Sequence, residues 1–367
     1  VKGEEGDIVI GKRITLISKV LNEDRDIWIY TPARYEQSET RYPVIYLLDG
    51  DGHFHHATGI VQFMATRGIG PDHIVIAIPN TERTRDLSTS AIEERPTSGG
   101  AETFLDFFKN ELFPYVESKY RTQPYRILIG HSLGGLFSVY TMLTYPDMFN
   151  AHIAISPWLV WDDGDLFKRS PDLIAKHQSL NKFLFISIGD EAQLEPTLNQ
   201  FCDLLQEKAP ADLSWKYVKM RNENHGSLVH RTIYDGLEEL YKDWRLPANT
   251  IDEGIEAVEK HYQMLSDKFG YRIQVPEFVV NNMGYRQLGN QDYDKAIEIF
   301  QYNVKLYPKS ANVYDSLGEA FERNNQFEHA LKNYKKAVKR GTELSDPNLA
   351  IYEQNLKRME THFKDNK

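Results

Sequence analysis

The residues best placed to do chemistry are Gly130-His131-Ser132-Leu133-Gly134-Gly135. They follow a short apolar run, 126–129 (Arg-Ile-Leu-Ile), and lead into a helical pattern over 133–145. Glycines on both sides of a serine, between a strand and a helix, allow a turn so tight that the hydroxyl stands proud of the sheet end, above a helix N-terminus. A side chain at 130 or 134 is expected to collide with neighbouring backbone. A serine hydroxyl is a weak nucleophile at neutral pH and needs a base, which in turn needs an orienting acid.

Where serine sits in such an elbow, the chain order is serine, acid, histidine, so the base is sought after the last strand. His225, in Asn222-Glu223-Asn224-His225-Gly226-Ser227, fits that place. The other histidines have blander readings: His131 packs inside the elbow, His152 lies in a strand, and His177 and His230 lack a loop context. The acid is expected after the strand 182–188, where Asp190, Glu191 and Glu195 are all available. Glu191 is preferred, then Asp190, then Glu195, although any of them could cap a helix or sit as a solvated charge.

Acyl transfer also needs donors for an oxyanion. The N–H of Leu133 supplies one. The second is assigned to the N–H of Asp51, in the glycine-rich loop Asp49-Gly50-Asp51-Gly52-His53-Phe54. His53, His55 and His56, with Asp49 and Asp51, raise a metal site as a rival, but no H-E-x-x-H pattern is present and the elbow already accounts for the loop. No metal and no cofactor are therefore expected. Arg83 and Arg85 follow another strand end, where open α/β sheets bind ligands. They are candidates to hold an anionic or phenolic part of a substrate; an Arg85–Asp86 surface pair bracing the loop is the equal alternative.

The elements that must position these residues alternate. Apolar runs at 25–31, 43–48, 73–78, 126–129, 151–155, 182–188 and, more weakly, 214–218 read as strands. Helical spacing appears at 103–120, 133–145 and 197–208. That alternation predicts a mostly parallel sheet flanked by helices on both faces, an α/β fold. After Pro247 the pattern is helical only, which puts a domain boundary between 248 and 249 and makes 249–367 an all-α domain. There Gly284/Gly318, Ala296/Ala330 and Phe300/Tyr334 recur at one 34-residue spacing, and Pro308 closes the first unit. Two such units, 276–344, resemble tetratricopeptide repeats; 251–269 and 348–363 read as flanking helices.

The bulk properties narrow the class. The chain has 367 residues, 41% hydrophobic and 26% charged, with a net charge of −10. No basic block concentrates charge as phosphate binding requires, so nucleic acid is not an expected partner. No apolar run approaches the ~20 residues of a membrane span. Cys202 is the single cysteine, which rules out an internal disulfide. The chain starts at Val1, which fits a removed signal peptide or a trimmed start; a periplasmic or secreted location is preferred to a cytoplasmic one.

Three stretches together resemble the esterase D-like family of α/β hydrolases: Tyr46-Leu47-Leu48-Asp49-Gly50-Asp51-Gly52, the elbow, and Glu223-Asn224-His225-Gly226. The likeness covers about 11–244 and is nearest to the short siderophore-esterase-like members. It implies an α/β-hydrolase domain over 1–248, with Ser132 as nucleophile, His225 as base, and Asp51 and Leu133 as oxyanion donors. It also implies a small-molecule ester substrate, such as a siderophore-like lactone or a small acyl or aryl ester. Some members work with a serine–histidine pair alone, so Glu191 is the least secured of the set. An acyltransferase, thioesterase or peptidase could share this site, and a binding protein led by its repeats could carry it silently. The repeats are expected to dock against the hydrolase domain or a second copy of the chain, and could bind a protein partner or cover the active site.

Overall fold

The computed structural model describes residues 6–33 and 35–365, and the chain divides into two compact units, 1–245 and 246–367. The first unit is built on an eight-stranded sheet with strand order β1-β2-β4-β3-β5-β6-β7-β8. The strands are β1 (Lys12–Ser18), β2 (Glu23–Tyr30), β3 (Tyr42–Leu48), β4 (Ile74–Ile78), β5 (Thr122–His131), β6 (Ala151–Ile155), β7 (Phe183–Ile188) and β8 (Ser214–Lys219). β1 and β2 join antiparallel at one edge; from β4 to β8 every pairing is parallel. In β3, β4, β6 and β7 every residue is buried, which is why these strands read as unbroken apolar runs. β1, with alternating Lys12-Arg13-Ile14-Thr15-Leu16, is an exposed edge strand and was not expected from the sequence.

The crossovers are α1 (Gly50–Thr66), α2 (Arg83–Leu87), α3 (Ala101–Phe107), α4 (Phe113–Lys119), α5 (Leu133–Thr144), α6 (Asp165–Ala175), α7 (Glu195–Lys208) and α8 (Leu228–Leu240). The predicted helix over 103–120 is α3 and α4 joined by one turn of π-helix at Phe108–Leu112. Around that turn Phe104, Phe107, Phe108 and Phe113 pack with Tyr46, Phe137 and Phe149 in the core. This is the mostly parallel, helix-flanked sheet the alternation predicts, and it brings the C-terminal ends of β3, β5, β6 and β7 side by side.

The second unit is helical: α9 (Thr250–Glu253), α10 (Ile255–Phe269), α11 (Glu277–Gly289), α12 (Tyr293–Leu306), α13 (Ala311–Arg323), α14 (Phe327–Leu344) and α15 (Leu349–Asp365). The expected flanking helix over 251–269 is broken at Gly254, whose φ of 102° a side chain would resist. A Cβ on Gly284 would come within 2.5 Å of the Phe300 ring, and one on Gly318 within 2.8 Å of the Tyr334 ring. The 34-residue spacing thus marks the two places where α11 meets α12 and α13 meets α14.

Candidate active site

β5 ends at His131, and α5 starts at Leu133. Ser132 alone makes the turn, with φ 60° and ψ −114°. A non-glycine residue held at positive φ costs about 1–3 kcal/mol and persists where surrounding contacts over-determine it. Those contacts are the Ser132 N–H on the Ile155 carbonyl (2.9 Å) and the Ser132 carbonyl accepting from Trp158 and Leu136 N–H (3.0 and 2.9 Å). A Cβ on Gly130 would lie 2.2 Å from the Gly134 carbonyl oxygen, so glycine is obligatory there. The crowding expected at 134 falls instead at 135: a Cβ on Gly134 meets nothing nearer than 3.4 Å, whereas one on Gly135 would be 2.8 Å from Pro157 Cα. The elbow leans on the loop after β6, and it is the second glycine of the pair that lets it.

His225 sits in the turn between β8 and α8. Its Nδ1 is 2.5 Å from Glu191 Oε2 and 3.1 Å from Ser156 Oγ. A carboxylate only accepts, so the proton is on Nδ1 and Nε2 is left with a free lone pair. Glu191 is buried and also accepts from the Ser156 hydroxyl (2.8 Å to each oxygen) and from Gly189 N–H (3.1 Å). The other two carboxylates are turned elsewhere. Asp190 accepts from Asn222 N–H, and Glu195 pairs with Lys219 at 2.7 Å on the surface. His225 and Ser132 share the neighbours His131, whose Nε2 lies 2.6 Å from the His225 carbonyl, and Trp158, whose ring centroid is 5.9 Å from that of His225.

Leu133 is the first residue of α5 and Asp51 the second of α1, both in first turns, where backbone N–H groups lack an intrahelical partner. β3 and β5, which carry these helices, are adjacent and parallel, so two helix N-termini flank the elbow. Asp49 caps α1 in the left-handed region (φ 53°, ψ 44°).

Arg83 grips Asp49 with two bonds, Nε–Oδ1 at 2.5 Å and Nη2–Oδ2 at 3.0 Å, and donates to the His131 carbonyl at 3.0 Å. Asn80 adds a bond to Asp49 Oδ1 at 2.8 Å. The guanidinium expected to be free for a substrate is therefore largely occupied in bracing the elbow. Arg85 pairs with Glu23 (2.7 Å) and Asp86 (2.8 Å), beside the buried Arg25–Asp86 pair (2.6 Å), which is the bracing alternative of its two readings.

Burial raises the Asp49 carboxyl, but the Arg83 fork, the Asn80 amide and the nearby His53 outweigh it and hold the group below the usual carboxylate range. A depressed folded-state value means that its stabilisation is complete above the ordinary carboxylate range and is lost as pH falls through the lowered value. Asp49→Asn should lower the thermal midpoint at pH 7 by roughly 5 °C, from charge-assisted bonds worth about 1.5–3 kcal/mol. The gap from wild type should close as both are melted toward pH 3. A gap that ignores pH would assign the loss to shape rather than charge.

Ser132 and Leu133 open on a cavity of about 610 Å³, walled by Trp158, Val160, Trp161 and Ile92, with Arg83, Arg95, Glu94, Asp162 and Asp163 on its polar side. A second cavity of about 490 Å³ lies among Glu102, Lys109, Arg126 and Tyr145, around α3, α4 and the end of α5, and shares no lining residue with the first. Size alone does not single out the site; the elbow does.

His53 and His56 share a face of α1, and their nitrogens bond each other at 3.1 Å. His55 is exposed. Among the described residues no group of three or more His, Cys, Asp or Glu side chains is arranged as metal ligands. Sequence reasoning missed Ser156, Trp158 and the Asp49–Arg83 clamp. Ser156 and Trp158 follow the end of β6, a strand end like those already searched, and that position was the one signal for them.

The family model Esterase, described as "Putative esterase", matches residues 18–226. The ferri-bacillibactin esterase BesA of Bacillus subtilis is 35% identical over 162 residues, covering 38% of this chain and 56% of that protein. The siderophore triacetylfusarinine C esterase of Aspergillus fumigatus is 29% identical over 151 residues, covering 37% of this chain and 52% of that protein. The chain thus spans about half the length of these curated relatives. Among solved structures, an IroE-like serine hydrolase from Shewanella oneidensis superposes with TM-score 0.69 at 29% identity, over 77% of this chain and 95% of that one. An uncharacterised protein from Capnocytophaga ochracea is alike in fold over 96% of this chain and 99% of its own, with TM-score 0.65 at 19% identity.

Proposed function

The chain belongs to the Esterase family, and from that premise we propose that it hydrolyses a small-molecule carboxylic ester through an acyl-enzyme on Ser132. Ser132 Oγ attacks the ester carbonyl carbon while its proton passes to His225 Nε2. The carbonyl oxygen becomes an oxyanion facing the N–H groups of Leu133 and Asp51. When the intermediate collapses, the alcohol leaves with the proton from His225. Water then repeats the sequence, giving its proton to His225 and releasing the acid and the free serine. Glu191, fixed by Ser156 and Gly189, steadies the imidazolium that forms twice per turnover.

The observation that carries this reading is the His225–Glu191 bond beside a serine held at positive φ. The relatives' names support a siderophore ester as the substrate class, with a small acyl or aryl ester as the alternative that the same chemistry would take. The recurring Gly284–Phe300 and Gly318–Tyr334 contacts support a tetratricopeptide-like reading of the helical unit, as a platform for a protein partner or a second copy of the chain. No helix of the described residues is long and apolar enough to cross a membrane.

Hydroxylamine partitioning tests the reaction path. Esters that share one acyl group but differ in alcohol should give one constant ratio of hydroxamate to acid, because a common acyl-enzyme is partitioned. A ratio that varies with the alcohol would mean direct attack by water.

A further inference from the structure

We infer that His131 is a positioning residue, which holds the His225 main chain where its ring can reach the Ser132 hydroxyl. The inference rests on the serine–histidine reading above. The His131 ring lies against that of His225, with centroids 4.5 Å apart at 45°, and its Nε2 is 2.6 Å from the His225 carbonyl oxygen. A carbonyl only accepts, so His131 donates from Nε2.

His131 is itself held fast. It is paired with Ile155 at the end of β5, its carbonyl takes the bond from Arg83, and the next residue is bolted to Ile155. The loop it holds is less secure. Asn222, Asn224, Gly226 and Ser227 are exposed. On the other side the loop is bonded to the acid segment, by Asp190 N–H to the Glu223 carbonyl, Asn222 N–H to Asp190, and His225 to Glu191, and the His225 ring also meets Ser156 Oγ at 3.1 Å. Others stay within the loop or at its ends: Gly226 and Ser227 N–H to Asn224, Asn224 N–H to Ser227 Oγ, the Ser227 hydroxyl to Glu223, and Glu223 N–H to the Met220 carbonyl. The bond from His131 grips this loop's main chain from the nucleophile's side, where Ser156 and Trp158 reach only the His225 ring, and without it the main chain can pivot about Asp190 and Glu191.

The choice of histidine also suits the electrostatics. Burial, then the neighbouring His225 ring, push the His131 imidazole down, and His53 adds to this. The His225 carbonyl and Asp49 pull the other way, and the outcome is about 4. At neutral pH His131 is thus an uncharged donor and does not oppose the positive charge His225 must take up.

The test compares His131→Met, of similar reach but with no donor, with His131→Gln, whose side-chain N–H reaches the same place. Active sites are counted with a fluorophosphonate, so that misfolded protein is excluded, and kcat and KM are measured on p-nitrophenyl butyrate. His131→Met should lose about 10²-fold in kcat per titrated site, the scale of a 1 Å misalignment, with KM within about threefold; His131→Gln should recover to within about tenfold of wild type. Wild-type kcat per site in His131→Met, or equal losses in both variants, overturns the inference. If His131→Met does not fold, His131→Leu takes its place. A wild-type enzyme that the fluorophosphonate does not label contradicts the serine–histidine reading itself, whereas a labelled wild type with an unimpaired His131→Met contradicts only the role of His131.

Discussion

Ser132→Ala should lower kcat on a p-nitrophenyl ester by about 10⁶-fold, with thermal stability close to that of wild type. The first part follows from removing the only atom that forms the acyl bond; what remains is the oxyanion donors and binding, worth about 10³–10⁴ over water in comparable sites. The second follows from the backbone. Ser132 stands at φ 60° because the elbow demands it, and Ala occupies that region no more willingly. The hydroxyl itself contributes no contact on which the fold depends: the bonds that pin this residue to Ile155, Trp158 and Leu136 are all main-chain. Activity and stability should therefore separate cleanly. A variant that kept even a hundredth of the wild-type rate, free of contaminating esterase, would contradict the nucleophile assignment.

His225→Ala should cost nearly as much, about 10⁴–10⁶-fold in kcat, because nucleophile and base act as one unit. For the same reason Ser132→Ala combined with His225→Ala should be no worse than Ser132→Ala alone. Glu191→Gln should cost less than either. The amide can still sit against Ser156 and Gly189, but it offers His225 no negative charge, and Ser156 Oγ, 3.1 Å from Nδ1, remains as a neutral acceptor. Steady-state kinetics on the three single variants and the double variant decide this. Additive losses in the double variant, or a Glu191→Gln enzyme as slow as His225→Ala, would break the proposed division of labour.

The parts of this site that sequence revealed are those written locally. The elbow is six consecutive residues, and the crossing of Gly130 over Gly134 is a contact four residues long. His225 was legible through chain order, since a loop after the last strand is where a base can return to the sheet end. The choice among Asp190, Glu191 and Glu195 was not. All three follow β7, and what distinguishes them is tertiary: Ser156 and Gly189 gather on Glu191, Asn222 draws Asp190, and Lys219 draws Glu195.

Arg83 shows the same limit: a cation at a strand end does not reveal that Asp49, 34 residues away, holds it while it still lines the cavity at Ser132. β1 escaped because an exposed edge alternates with charges, and α1 because three histidines and three glycines blur its apolar stripe. The mostly parallel sheet survived these omissions because its four wholly buried strands, β3, β4, β6 and β7, announce themselves as apolar runs.

The central claim is that the Ser132 oxygen becomes covalently bonded during turnover. Incubating the folded enzyme with a fluorophosphonate, then mapping the adduct by peptide mass spectrometry, tests this most directly. One phosphonyl group per chain is expected, on the peptide carrying Ser132, formed slowly or not at all once His225 is alanine. An unmodified Ser132 in folded protein that still hydrolyses esters, or an adduct on another residue, would contradict it.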